Sequence, residues 1–196
     1  HMWSPLLECT HRPNSTNNKE LNKRRYLTVV VRSGDIMTMK KPKSNYGQPP
    51  FSFYDTILSN ALEKNETFYI MSQDLHHVLL PRIVSKYKKQ VITDTRSDYQ
   101  AQLQDLVCSE RIIFARSTMT LYLLPLLRED TLVYVPYECS KFSGMPNQNQ
   151  TVFTMTHQNI EKYTVFKKWT HSSAEVKEMQ EFECLPPCVE TCTFNI

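Results

Sequence analysis

The sequence predicts an α/β fold: a doubly wound parallel sheet of about five strands, followed by a cysteine-containing C-terminal tail. Three observations carry that expectation. Apolar, β-branched or aromatic runs of strand length recur at T-V-V-V (28–31), T-F-Y-I-M (67–71), Q-V-I (90–92), R-I-I-F-A (111–115) and L-V-Y-V-P (132–136). Segments with helical spacing separate them, and strand–helix alternation with short turns is the signature of βαβ units. The first run stays apolar until Arg32 and is followed by Gly34. That is how a strand covered on both faces delivers a charged side chain to the edge of its sheet.

Taken in order, residues 1–26 are polar and turn-rich, with Pro5, Pro13 and N-S-T-N-N, and form a lead-in arm that Cys9 can tie to the body. After the first strand, Pro42, Gly47, Pro49 and Pro50 mark a loop, and the tandem prolines postpone helix until they end. The helix F-S-F-Y-D-T-I-L-S-N-A-L then sets Phe53 or Tyr54, Ile57, Leu58 and Ala61–Leu62 along one stripe. Ser72 and Asp74 stop the second strand, and a helix is expected from about Leu75 to Lys88, with Pro81 in or near its first turn. Ser97 or Asp98 caps the helix Y-Q-A-Q-L-Q-D-L-V, and Arg116, Ser117 and Thr118 lead from the fourth strand into M-T-L-Y-L-L-P-L-L. From Glu138 the rhythm stops. V-F-T-M-T suggests a short strand and A-E-V-K-E-M-Q-E-F a helix before the closing C-L-P-P-C-V-E-T-C. The organisation is a lead-in arm (1–26), an α/β domain (27–137) and a C-terminal extension (138–196).

Composition narrows the function classes. A chain of 196 residues, 40% hydrophobic and 22% charged, can bury a real core. A net charge of +3 is too small to argue for nucleic acid, although lysines and arginines cluster at 23–25 and at 40, 41 and 43, on either side of the first strand. No aromatic RNA-stacking motif accompanies them. The three glycines, at 34, 47 and 144, can spell neither a dinucleotide fingerprint nor a P-loop. Six cysteines (9, 108, 139, 184, 188 and 192) allow fifteen disulfide pairings, and N-x-[ST] sequons stand at Asn14, Asn65 and Asn149. Both features point to the secretory lumen or the extracellular space. His1–Met2 looks like an expression remnant, and no signal peptide or apolar run of transmembrane length follows. A soluble piece of something longer is expected.

The candidate chemistry gathers at strand ends, because open α/β sheets bind ligands beyond the carboxyl ends of their strands. Arg32, Ser33 and Asp35 follow the first strand; Arg116, Ser117, Thr118 and Thr120 follow the fourth. Arg32 has a planar fork suited to phosphate or carboxylate, or it pairs with Asp35 across a surface turn. The Ser117–Thr118 pair caps a helix, worth about 1 kcal/mol, or holds a phosphate on hydroxyls and free N–H groups. Asp94, Asp98 and Asp105 are acids near the third strand that can cap helices or take a ribose hydroxyl. Cys184, Cys188 and Cys192 lack a nearby histidine to complete a zinc site, so disulfides are expected and a metal is not. Cys108 closes an apolar helix face, as a buried or bridged cysteine does. His76 and His77 have no evident serine or cysteine partner, which leaves no hydrolytic triad.

With these residues in view, V-V-V-R-S-G-D-I, Y-G-Q-P-P-F-S-F-Y, I-M-S-Q-D-L and D-L-V-C-S-E-R-I-I-F-A-R-S-T resemble the C-terminal half of fucosyltransferase-like glycosyltransferases over residues 27–137. The resemblance implies a Rossmann-like domain, one half of a GT-B fold, that binds GDP-fucose as co-substrate without a required metal. It implies that Arg32 contacts the donor β-phosphate, with Ser33 and Asp35 in the same nucleotide-binding motif. Ser117 and Thr118 match the turn that hydrogen-bonds the phosphates, and Asp105 an acidic residue of the nucleotide pocket or its support. The implied partners are a nucleotide sugar and a glycan or glycoprotein acceptor, in the Golgi or ER lumen. Val30 stands where the motif has histidine, and Met119 where an aromatic follows Ser-Thr. The GT-B cleft also needs an acceptor domain that 26 leading residues cannot supply, so transfer by this chain alone is expected to be weak or absent. The rival expectation is a secreted, disulfide-bonded binding module, without catalysis, that engages a protein partner on the same scaffold.

Overall fold

A computed structural model describes residues 26–39, 46–94, 99–142 and 150–192. The lead-in with Cys9 and Asn14, the lysine clusters, the Ser97–Asp98 cap and Asn149 lie outside them. The fold is α/β, with one seven-stranded sheet in the order β3-β2-β1-β4-β5-β6-β7. The strands are β1 (Tyr26–Val31), β2 (Thr67–Ser72), β3 (Val91–Asp94), β4 (Arg111–Ile113), β5 (Leu132–Val135), β6 (Thr151–Met155) and β7 (Val189–Thr191). All pairings are parallel except β6 with β7. The first six strands thus follow the order of a doubly wound dinucleotide-binding sheet.

Period-two alternation sorts β1 between two layers. Leu27, Val29 and Val31 enter one core with α1 (Asp35–Thr38), α2 (Phe51–Glu63), α3 (Leu80–Lys86) and α7 (Ser173–Glu181). Val30 enters the other, beneath α4 (Tyr99–Val107) and α5 (Thr118–Leu123). The second layer holds Leu106, Ile112, Phe114, Leu123, Val133 and Val152. The β1–β2 crossover and the β3–β4 and β4–β5 crossovers therefore lie on opposite faces of the sheet. A short α6 (His157–Lys162) follows β6.

Three local differences from the sequence expectation have physical causes. The helix expected from Leu75 begins at Leu80, with Pro81 in its first turn. Before it, the Asp74 carboxylate accepts the His76 N–H at 2.8 Å and holds the chain in a turn. The helix after β4 stops at Leu123 and tightens into a 3-10 turn (Leu124–Leu126), because Pro125 cannot donate to the ladder. The sheet also carries two strands beyond the expected five, both from the 138–196 segment. V-F-T-M-T becomes β6, and the cysteine tail supplies β7.

Disulfides tie that segment down. Cys139 is bonded to Cys192 and Cys184 to Cys188, and Cys108 is disulfide-bonded as well. Of the three tail cysteines, two thus pair with each other and the third with Cys139. The Ser172 capping box opens α7, reciprocally bonding Ser172 and Glu175. Among the described residues no helix is long and apolar enough to cross a membrane.

The loop before α2 is packed inward. Gly47, Gln48, Pro49 and Pro50 are all buried, and a Cβ on Gly47 would lie 2.0 Å from the Val165 carbonyl oxygen. Backbone cannot give way there as a flexible side chain can. Gly47→Ala should therefore cost about 1–3 kcal/mol, read as a lower urea midpoint at unchanged slope. A midpoint equal to that of the parent chain would refute the close approach.

Candidate functional site

The order of the strands determines where a site can form. Because the chain leaves β1 and β4 towards opposite faces, their carboxyl ends bound a crevice at the topological switch point. In register, Val29 pairs with Ile113, so Arg32 and Arg116, each three residues further on, end neighbouring strands. On the other side Val31 pairs with Ser72, which brings Gln73 level with Arg32.

Arg32 is the hub of the β1 side. Its Nη2 donates to Asp35 Oδ1 at 2.5 Å, and its Nη1 to Gln73 Oε1 at 2.9 Å and to the Ser33 carbonyl at 3.3 Å. The side chain remains 31% exposed and that of Asp35 41%. Gly34 makes this turn with φ 65°, a left-handed value that favours glycine. A Cβ there would fall 2.4 Å from Gln73 Oε1, displacing the partner of Arg32.

Behind the arginine, the Ser33 hydroxyl is buried and donates to Asp74 Oδ1 at 2.5 Å. Burial raises the Asp74 pKa, but hydrogen bonds from Ser33, His76 N–H and Gly34 N–H, with the nearby His76 ring, outweigh it and hold the carboxyl below its usual range. Ser72 Oγ lies 3.2 Å from the Val31 carbonyl and 2.7 Å from that of Asp74, linking the ends of β1 and β2.

The β4 side is built differently. Ser117 caps α5, its Oγ accepting the Met119 N–H at 3.2 Å, while Tyr137 donates its hydroxyl to the Ser117 carbonyl. Thr118 is exposed at the first turn, and Thr120 is buried with its hydroxyl on the Ala115 carbonyl. Arg116 Nη1 donates to the Phe166 carbonyl at 2.7 Å, and its guanidinium stacks 4.8 Å from the Phe166 ring. Burial lowers its pKa. Gln48 Nε2 donates to the carbonyls of Tyr46 and Arg116, leaving its buried Oε1 without a partner among the described residues.

Of the residues singled out from sequence, Arg32, Ser33 and Asp35 share one network, and Ser117 and Thr118 stand at the adjoining strand end. Asp105 does not join them. The Tyr69 hydroxyl reaches its Oδ2 at 3.5 Å, and Tyr69 pairs with Thr28, three residues short of the end of β1. That places the contact about 10 Å back from the crevice edge. Asp94 closes β3, at the far edge of the sheet. Val30, at the histidine position of the motif, is buried in the α4–α5 layer. The sequence reading gives Gln48 and Gln73 no site role and Asp74 only that of ending the second strand. Gln73 and Asp74 carried one available signal, since they end the strand beside β1. Gln48 carried none. Among the described residues no group of three or more His, Cys, Asp or Glu is placed to hold a metal ion.

His77 lies just beyond this network, fully buried. Its Nδ1 accepts the Leu79 N–H at 3.2 Å, so the ring proton sits on Nε2, which has no partner among the described residues. Burial depresses its pKa to about 3, against a smaller upward pull from Asp74. An unfolded histidine titrates near about 6.5, so between these values the unfolded chain binds the extra proton. Stability from neutral His77 is complete above about pH 6.5 and is lost as the pH falls towards 3. His77→Asn keeps an acceptor for Leu79 and does not titrate. Urea midpoints of the variant should fall less between about pH 6.5 and 4 than those of the parent. Parallel curves would contradict the buried neutral ring.

Comparison with protein-family models, curated proteins and solved structures returned no match.

Proposed function

We propose that this chain is the donor-binding domain of a fucosyltransferase-like glycosyltransferase, taking a GDP-fucose-like nucleotide sugar in the β1–β4 crevice, in the secretory lumen. The observation that carries the reading is Arg32, half-exposed at the switch point, with the α5 start and the exposed Thr118 at the neighbouring strand end. A diphosphate there would compete with Asp35 for the Arg32 fork. As the sugar leaves, negative charge grows on the β-phosphate, and a preset guanidinium stabilises that charge more than it stabilises the ground state. Ser117 Oγ already holds the Met119 N–H, so Thr118 is the hydroxyl better placed to add a contact. The disulfides agree with an oxidising compartment. The acceptor on this reading is a glycan or glycoprotein, and nucleotide-sugar binding is the property to test.

A specific observation favours a second reading, a secreted, disulfide-bonded binding module without catalysis. The Arg32 fork is already held by Asp35 and Gln73, and Arg116 is committed to the Phe166 carbonyl. On that reading the crevice polar groups serve the fold, and a protein partner engages another surface.

Calorimetric titration separates the two. The transferase reading predicts micromolar affinity for GDP and GDP-fucose. Arg32→Ala should weaken it about 10–100-fold, equivalent to roughly 1.4–2.7 kcal/mol, and Asp35→Asn, which frees the fork, should leave it equal or tighter. A folded sample giving no heat with millimolar GDP would refute nucleotide binding and leave the second reading.

A further inference from the structure

The sequon at residues 65–67 is unused by the crevice, and its setting suggests a modification site. Asn65 is exposed on the turn between α2 and β2, with φ 53°. Asparagine is among the few non-glycine residues that accept this left-handed conformation readily. The backbone of the turn is self-contained: Asn65 N–H donates to the Leu62 carbonyl at 2.8 Å and Glu66 N–H to that of Ala61 at 3.1 Å. The Asn65 side-chain amide is engaged by no hydrogen bond among the described residues, so nothing in the turn has to break to expose it. Glu66 points the other way, buried and ion-paired with Arg111, and Thr67 opens β2. The middle residue of the sequon thus anchors the turn while the acceptor faces solvent.

We infer that Asn65 carries an N-linked glycan. The co-reactant is a polyprenyl-pyrophosphate-linked oligosaccharide. Asn65 Nδ2 forms a bond to the anomeric carbon of the reducing-end sugar as the bond from that carbon to the pyrophosphate oxygen breaks. The lipid pyrophosphate leaves with the electron pair, and the amide gives up one proton to a base. The site lies at the amino end of the six-residue β2, about 20 Å of strand away from the crevice edge. A glycan here leaves the crevice open. The inference rests on the lumenal part of the proposed function and is independent of nucleotide binding.

The test is secretion of the chain from a eukaryotic host behind a cleavable leader, with Asn14→Gln and Asn149→Gln so that one sequon remains. The expected result is a mobility shift removed by peptide N-glycosidase, with Asn65 recovered as Asp labelled from heavy-oxygen water. Thr67→Ala should abolish the shift, and Thr67→Ser should retain it with the same fold. Because the sugar is added on entry to the lumen, Asn65 is read in both secreted and retained pools. Unmodified Asn65 in either pool overturns the assignment. A chain that carries the glycan but cannot form its disulfides and fold in the lumen contradicts the lumenal reading instead.

Discussion

Parallel pairing of β1 on both sides is the constraint on which the rest of the molecule depends. A strand with parallel neighbours cannot connect to them by hairpins, so each crossover must run over a face of the sheet. Here the β1–β2 crossover covers one face, with α2, and the β3–β4 and β4–β5 crossovers cover the other, with α4 and α5. The chain therefore parts at the ends of β1 and β4, and backbone N–H groups, Arg32 and the Ser117 cap are left at one edge. Burial on both faces explains why β1 reads as an unbroken apolar run, and why the first polar residue after it belongs to that edge.

The C-terminal segment buttresses one side of the opening. Tyr163 donates its hydroxyl to the Gln48 carbonyl, Trp169 its Nε1–H to the Ile36 carbonyl, and Phe166 receives Arg116 on both its carbonyl and its ring. Tyr163 and Trp169 are fully buried, so these contacts combine apolar burial with satisfied polar groups. The Cys139–Cys192 bridge spans 53 residues and joins the 3-10 turn after β5 (Cys139–Phe142) to the residue that follows β7. Its loop encloses β6 and the buttress, so the cross-link removes freedom from the unfolded chain over the stretch that packs against the crevice. The two arginines ending adjacent strands consequently differ: Arg116 is a packing residue, while Arg32 keeps an exposed face.

Much of the fold was legible because the cues were local. Apolar runs marked β1 to β5, tandem prolines marked the start of α2, and Ser117 marked a helix cap. The missed elements depend on contacts distant in sequence. β7 is a three-residue antiparallel edge strand whose character comes from β6 and from the Cys139 bridge, and V-E-T carries no pattern of its own. The site was half legible for the same reason. Arg32, Ser33 and Asp35 are neighbours in sequence, but Gln73 and Asp74 meet them through strand pairing across about forty residues. Asp105 stands apart from Arg32 because its helix leads back into β4, so that its contact with Tyr69 falls level with Thr28, about 10 Å along the strand from the crevice edge. Gln48 reaches Arg116 across a loop that composition marked only as proline-rich.

The most direct measurement of the central claim is a map of backbone amide chemical shifts during titration with GDP. The account predicts a contiguous response at residues 32–35, 73–76 and 116–120, with the amides around Asn65 and Asp105 silent. A response concentrated away from the β1–β4 crevice, or no response at millimolar GDP, would contradict it.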